Sequence, residues 1–175
     1  MDKRESELFK KRYDPIHEPL DRFCRLIAGN REDGADLLQE TVLTTMSNYH
    51  KINKKEALKS FMFSTASNIN KKRFSRKRHF VGFEAEEVAH ISGNGLAAEH
   101  ITDLSIIYEK LMALPTKMSE AMMLFHISDM SLEDIREIQG GSLSGVKLRL
   151  KRGREKLLTM LNEKQQVIMS IFLTI

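Results

Sequence analysis

Two stretches of this chain concentrate residues able to do chemistry. In the first, residues 71–78 read KKRFSRKR, and six of the eight positions are Lys or Arg. Cations at a helix C-terminus complement the helix dipole. This density exceeds what the dipole needs, and an anionic surface would relieve its self-repulsion. The second stretch, residues 131–161, reads SLEDIREIQGGSLSGVKLRLKRGREKLLTML. Ser131 caps a short helix with Leu132, Ile135 and Ile138 inward, and Asp134 completes a variant capping box. Gly140 and Gly141 make a tight turn, and Ser142 caps again. A longer helix follows, with Leu143, Val146, Leu150, Leu157 and Leu161 inward and Lys147, Arg149, Lys151, Arg152, Arg154 and Lys156 around the rest. Short helix, glycine turn, cap and basic helix spell a helix-turn-helix, whose second helix fits the major groove of DNA. The chemistry is recognition of a polyanion. An αα-hairpin with a solvated basic face is the plainer alternative.

The charge of the whole chain supports two contact zones. Its net +4 conceals a segment 51–80 at net +9, a segment 81–108 at net −5 without a single Lys or Arg, and a final segment 131–175 at net +3. Two basic zones separated by an acidic one suit a protein that meets nucleic acid at two places.

The elements that must position these zones read as helices. Few prolines and a low aromatic content accompany strong use of Leu, Lys and Glu, so the expected fold is all-α. Asp14-Pro15 is expected to start a first helix with Ile16, Leu20, Phe23 and Ile27 inward, stopped by Gly29-Asn30. A second helix opens near Asp33 with Ala35, Leu38, Val42 and Met46 as its stripe, and with Asp36, Gln39 and Glu40 turned elsewhere. Residues 50–56 read as a loop. A third helix runs from about Ala57 with Leu58, Phe61, Met62, Thr65 and Ile69 inward, and ends in the first basic stretch. Residues 81–104, glycine-bearing and acidic, read as a flexible linker. A C-terminal lobe then begins with Leu104, Ile107, Leu111 and Leu114 on a helix that ends before Pro115. The architecture is two small helical lobes, 1–80 and 105–161, with the helix-turn-helix in the second. An apolar tail over 162–175 is expected to pack on its own lobe, with a dimer contact or an inhibitory partner as alternatives.

Several function classes are excluded. A single cysteine, Cys24, permits no internal disulfide and reads as a small apolar core residue. The N-terminal residues lack a signal-peptide apolar run, and no stretch is long enough for a membrane span. There is no GxGxxG, no phosphate loop and no Cys/His ligand cluster, and the six His are scattered. Neither catalysis, a metal nor a cofactor is expected.

Taken together, the motifs carry a resemblance. Residues 130–157 resemble the promoter-reading module of extracytoplasmic-function (ECF) bacterial RNA polymerase sigma factors, at Ser131, Glu133, Ile135, Glu137, Ile138, Gly140, Ser142, Val146, Lys147, Arg149, Leu150, Arg152 and Arg154. The preceding ALPTKMSEAMML is similar to the same family's pattern. DGADLLQETVLT (33–44) and LKSFMFSTASNINKKR (58–73) resemble two segments of its second conserved region, in the same order. Departures include Phe61 for a usual Trp, Gly145 for Thr and Leu148 for a small polar residue.

The resemblance implies a transcription initiation factor that binds core RNA polymerase and directs it to promoter DNA in the cytoplasm. It implies polymerase docking through Asp36, Leu37, Gln39 and Glu40. It implies opening of the −10 element, with backbone grip, by Asn53, Phe63, Asn68, Lys71, Lys72, Arg73, Arg76, Lys77 and Arg78. It implies reading of the −35 element by Ser142, Lys147, Arg149, Lys151 and Arg152. An anti-sigma factor is an expected inhibitory partner. The competing reading is a stand-alone helix-turn-helix regulator, which would bind duplex DNA tightly without polymerase.

Overall fold

The computed structural model describes residues 3–52, 57–74, 88 and 100–172. These residues are helical with short connections: α1 (Lys3–Ala28), α2 (Arg31–Ser47), a 3-10 turn (Tyr49–Lys51), α3 (Ala57–Phe74), α4 (Ile101–Ala113), α5 (Thr116–His126), α6 (Leu132–Gln139), α7 (Leu143–Met160) and α8 (Glu163–Phe172). The all-α expectation holds.

Helix α1 buries Ile16, Leu20, Phe23 and Ile27 as expected, with Cys24 beside them. It begins well before Pro15, however, and carries both Pro15 and Pro19 inside. Each proline removes one backbone donor, so the carbonyls of Lys11 and Pro15 lose their usual helical partner. An aromatic cluster holds the early turns in place. Phe9 stacks on Tyr13 at 5.7 Å and meets Tyr49 edge-on at 5.3 Å, and Arg12 donates to the Tyr49 hydroxyl at 2.7 Å. Gly29, at φ 84°, closes the helix with its N–H on the Arg25 carbonyl. Asn30 caps α2 by accepting from the Asp33 N–H at 2.9 Å.

Helix α2 is turned by about one residue from the expected stripe. Its buried face is Gly34, Leu37, Thr41 and Thr45, while Leu38 and Val42 are only partly covered and Met46 is exposed. The cause is Gly34, where an added Cβ would sit 2.6 Å from the Arg25 Cα. The backbones of α1 and α2 therefore approach at that point, and the rest of α2 must follow. Helix α3 closes the N-terminal lobe with Leu58, Met62, Phe63 and Ala66 in the core. Phe61, Thr65 and Ile69, expected inward, are half-buried. Asn70 is buried and donates to the Ile27 carbonyl at 2.9 Å, fixing α3 against the end of α1.

In the C-terminal lobe, α4 buries Leu104, Ile107 and Leu111, and Leu114 is buried just beyond its end, before Pro115. Of the acidic segment expected as a linker, the described residues are Val88, helical and fully buried, and 100–104, where α4 has already begun. The apolar tail supplies α8, which packs on α4 with Ile168 and Met169 buried. Lys164 on α8 reaches Asp103 on α4 at 2.7 Å, and that hydrogen bond holds the Asp103 carboxyl below its ordinary value of 3.8. A carboxylate whose pKa is depressed by folding stabilises the fold above its ordinary value. That stabilisation is lost as pH falls through the lower, folded value. Lys164→Met should therefore lower the melting temperature at neutral pH, and the gap from the parent protein should close on acidification below the aspartate range.

The two lobes touch. Helix α3 lies against α6, and α1 against α5. Ser60 donates to Glu137 at 2.9 Å, Ser64 to the Ile138 carbonyl at 3.2 Å, and Lys59 lies 3.5 Å from Asp134.

Candidate nucleic-acid interface

The helix-turn-helix is built as its punctuation indicates. Ser131 accepts from the Asp134 N–H at 3.1 Å, and Asp134 accepts from the Ser131 N–H at 3.1 Å. Gly140 and Gly141 adopt φ of 73° and 97°, a region that L side chains rarely enter. Ser142 then accepts from the Gly145 N–H at 3.1 Å and starts α7. Fully buried Ile135 anchors α6.

Helix α7 has two distinct faces. Val146, Gly153 and Leu157 point inward, whereas Leu143 and Leu150, expected there, are half-buried. A Cβ on Gly153 would lie 2.9 Å from Met118 and 3.0 Å from Met122, so α7 sits close on α5 at this residue. The opposite face exposes Ser144, Lys147, Leu148, Lys151 and Arg152. These follow helical spacing, so they form one strip, and its N-terminal half is the part of such a helix that enters a groove. Ser142, Lys147, Lys151 and Arg152 are thus exposed on or beside one surface. Arg149 is not fully there. It is half-buried, and its guanidinium donates to the Gln139 side chain, which in turn donates to the Lys117 carbonyl at 3.1 Å. In this arrangement Arg149 ties α7 to α6 and, through Gln139, to α5.

The second basic zone lies at the end of α3. Asn68, Lys71, Lys72 and Arg73 are exposed. Lys71 lies 3.5 Å from the buried carboxylate of Glu120 on α5, and Arg73 pairs with Glu40 on α2. Two of the cations therefore face acids of the protein itself. Asn53, Arg76, Lys77 and Arg78 lie outside the described residues. Phe63 is a correction: it is fully buried, with its ring 5.1 Å from that of Phe23, so in this arrangement it packs the core and offers no face to a base.

On α2, Asp36 and Gln39 are exposed and Glu40 is half-exposed. Leu37, expected beside them, is fully buried because it lies on the Gly34 face. The apolar members of this surface are instead Leu43, 64% exposed, and Met46, which follow Gln39 at helical spacing. Their signal was present in the sequence as apolar residues that a stripe through Gly34 leaves outside.

A helix-turn-helix with a cationic outward strip, and a second basic helix end, suit a protein that binds DNA. Residues 104–157 match the family described as Sigma-70, region 4. Over 174 residues the chain is 24% identical to ECF RNA polymerase sigma factor SigW of Bacillus subtilis, covering 92% of each chain. It is 26% identical over 146 residues to ECF RNA polymerase sigma factor EcfG of Rhodopseudomonas palustris, covering 81% of this chain and 78% of that one. Its fold is similar to that of the sigma factor RpoE from Bartonella quintana, solved in complex with the anti-sigma factor NepR. There the TM-score is 0.67 at 23% identity, over 87% of this chain and 95% of the other. Residues 104–157 thus carry the Sigma-70 region 4 module, and the chain as a whole is similar to ECF RNA polymerase sigma factors. Among the described residues, no helix is long and apolar enough to cross a membrane.

Proposed function

We propose that the lobes divide the promoter between them. Residues 105–161 address the −35 element through the outward strip of α7, with Lys147, Lys151 and Arg152 as its cations and Ser142 at its entry. Residues 1–80 open the −10 element, with Asn53 and Asn68 beside the displaced strand and Lys71, Lys72, Arg73, Arg76, Lys77 and Arg78 on its backbone. Residues 81–104 join the two and repel phosphate. The exposed face of α2, with Asp36, Gln39 and Glu40 joined by Leu43 and Met46, docks polymerase. The observation that carries this reading is the continuous exposed strip of α7, cationic and opposite a well-packed inner face. The protein works where RNA polymerase works, in the cytoplasm. An anti-sigma factor holds it inactive, as the likeness to a sigma factor solved with one supports.

This division has a geometric consequence. The two elements lie about 25 base pairs apart, roughly 85 Å of duplex at 3.4 Å per base pair. A compact chain of this length has a radius of gyration of only about 16 Å. On a promoter α3 must therefore leave α6, and Lys71 must leave Glu120.

The backbone grip is tested by salt. Converting Lys71, Lys72 and Arg73 together to Ala should reduce the slope of log affinity against log salt for the polymerase–promoter complex by about 2, since each single-strand phosphate contact contributes roughly 0.7. An unchanged slope would remove these residues from the phosphate backbone. A stand-alone regulator would instead bind its duplex site tightly and specifically with no polymerase present.

A further inference from the structure

The outward strip of α7 contains one residue that does not fit a phosphate-gripping surface. Leu148 is 46% exposed, between Lys147 and the pair Lys151 and Arg152, and one turn beyond Ser144. It makes no part of the inner face, which is Val146, Gly153 and Leu157. A large apolar side chain left in water gains nothing for the fold. Its neighbours on the strip are cations that bind phosphates on the groove walls, which carries the side chain between them towards the groove floor.

We propose that Leu148 is a specificity-determining residue that reads the 5-methyl group of a thymine in the −35 element. This rests on the assignment of α7 to that element. The two surfaces match in polarity. In the major groove the 5-methyl group sets thymine apart as the most apolar base edge, while adenine, guanine and cytosine are read mainly through hydrogen-bonding groups. An isobutyl group has no donor or acceptor. Facing any other base edge, it would strip water from a polar group and return no bond. Facing thymine, it buries a methyl group against its own. The strip thus separates two tasks: Lys147, Lys151 and Arg152 supply affinity, and Leu148 supplies a choice.

The test removes one methyl group from the DNA. Each position of the −35 element is presented in turn as T·A and as U·A to the full chain bound to core RNA polymerase, and promoter affinity is measured. At one position the change from T to U should weaken binding about fourfold, the worth of one buried carbon. At that position 5-methylcytosine should bind better than cytosine. Leu148→Ala leaves the inner face of α7 untouched and should abolish both differences, whereas Leu148→Met, still apolar and long, should keep them. If base changes in the −35 element alter binding but no position distinguishes T from U, Leu148 reads no methyl and the inference is overturned. It is overturned equally if Leu148→Ala weakens polymerase association and leaves a T-to-U difference intact. If no base change in the −35 element matters at all, the assignment of α7 fails, and this inference with it.

Discussion

Joining α3 to α6 by a covalent link is expected to silence promoter-directed transcription while leaving polymerase binding intact. The link is made by Ser60→Cys with Glu137→Cys, bridged by a short thiol-reactive reagent. These positions face one another, since Ser60 donates to Glu137 at 2.9 Å. The native chain adds no competing thiol, because Cys24 is buried and burial, with a smaller push from Asp21, raises its pKa. The expectation follows from the mismatch between promoter length and closed protein. In the parent protein the polar contacts between α3 and α6 are individually weak. The Lys59–Asp134 pair is about a third exposed on each side, and such pairs contribute about 0–1 kcal/mol. The two serine hydrogen bonds add about 0.5–1.5 kcal/mol each. Polymerase and promoter can overcome a few kcal/mol, but not a covalent bond. Run-off transcription should fall to background with the linked protein and stay near parental with each single-cysteine variant given the same reagent. The α2 face is not involved in the link, so polymerase association should persist. Normal transcription by the linked protein would show that the lobes need not part.

The second large effect contrasts two helical glycines. Replacing Gly by Ala inside a helix gains about 1 kcal/mol of propensity, so the sign depends on what the new methyl meets. At Gly34 it meets backbone, the Arg25 Cα at 2.6 Å and the Arg25 N at 3.0 Å. Neither atom can move without separating α1 from α2, and overpacking of this kind costs about 1–3 kcal/mol or more. Gly34→Ala should destabilise the protein by about 2 kcal/mol net. At Gly153 the methyl meets only the flexible side chains of Met118 and Met122, at 2.9 and 3.0 Å. Methionine repacks readily, so Gly153→Ala should lie within about 1 kcal/mol of the parent. Denaturant unfolding of the two variants checks both values. Equal destabilisation would mean that the approach of α1 to α2 is no tighter than that of α7 to α5.

The contrast also shows what was legible in the sequence. The helix-turn-helix was readable in detail because each of its boundaries is written in residue chemistry: Ser131 and Asp134, the paired glycines, and Ser142. The end of α4 at Pro115 was readable for the same reason. The register of α2 was not. Gly34, Thr41 and Thr45 carry little hydropathy, yet one close backbone approach rotates the helix onto them and leaves Met46 outside. The start of α1 was not legible either, because Pro15 is a helix-start signal wherever tertiary contacts do not overrule it, and here Phe9 and Tyr49 do. Leu37 and Phe63 matched family patterns and proved to be core, while the exposure of Leu43, Met46 and Leu148 became evident only once the faces were known. The docking of α3 on α6 leaves no periodic trace, since it is made by serine, lysine and carboxylate side chains that read as solvated surface.

Run-off transcription from a genomic fragment library by bacterial core RNA polymerase, with and without the purified chain, is the decisive measurement. The chain should associate with core polymerase and cause initiation at a discrete set of start sites that core alone ignores, while binding those promoters weakly by itself. Failure to associate with core polymerase, or tight and specific binding of the isolated chain to duplex promoter DNA, would contradict its role as a sigma factor.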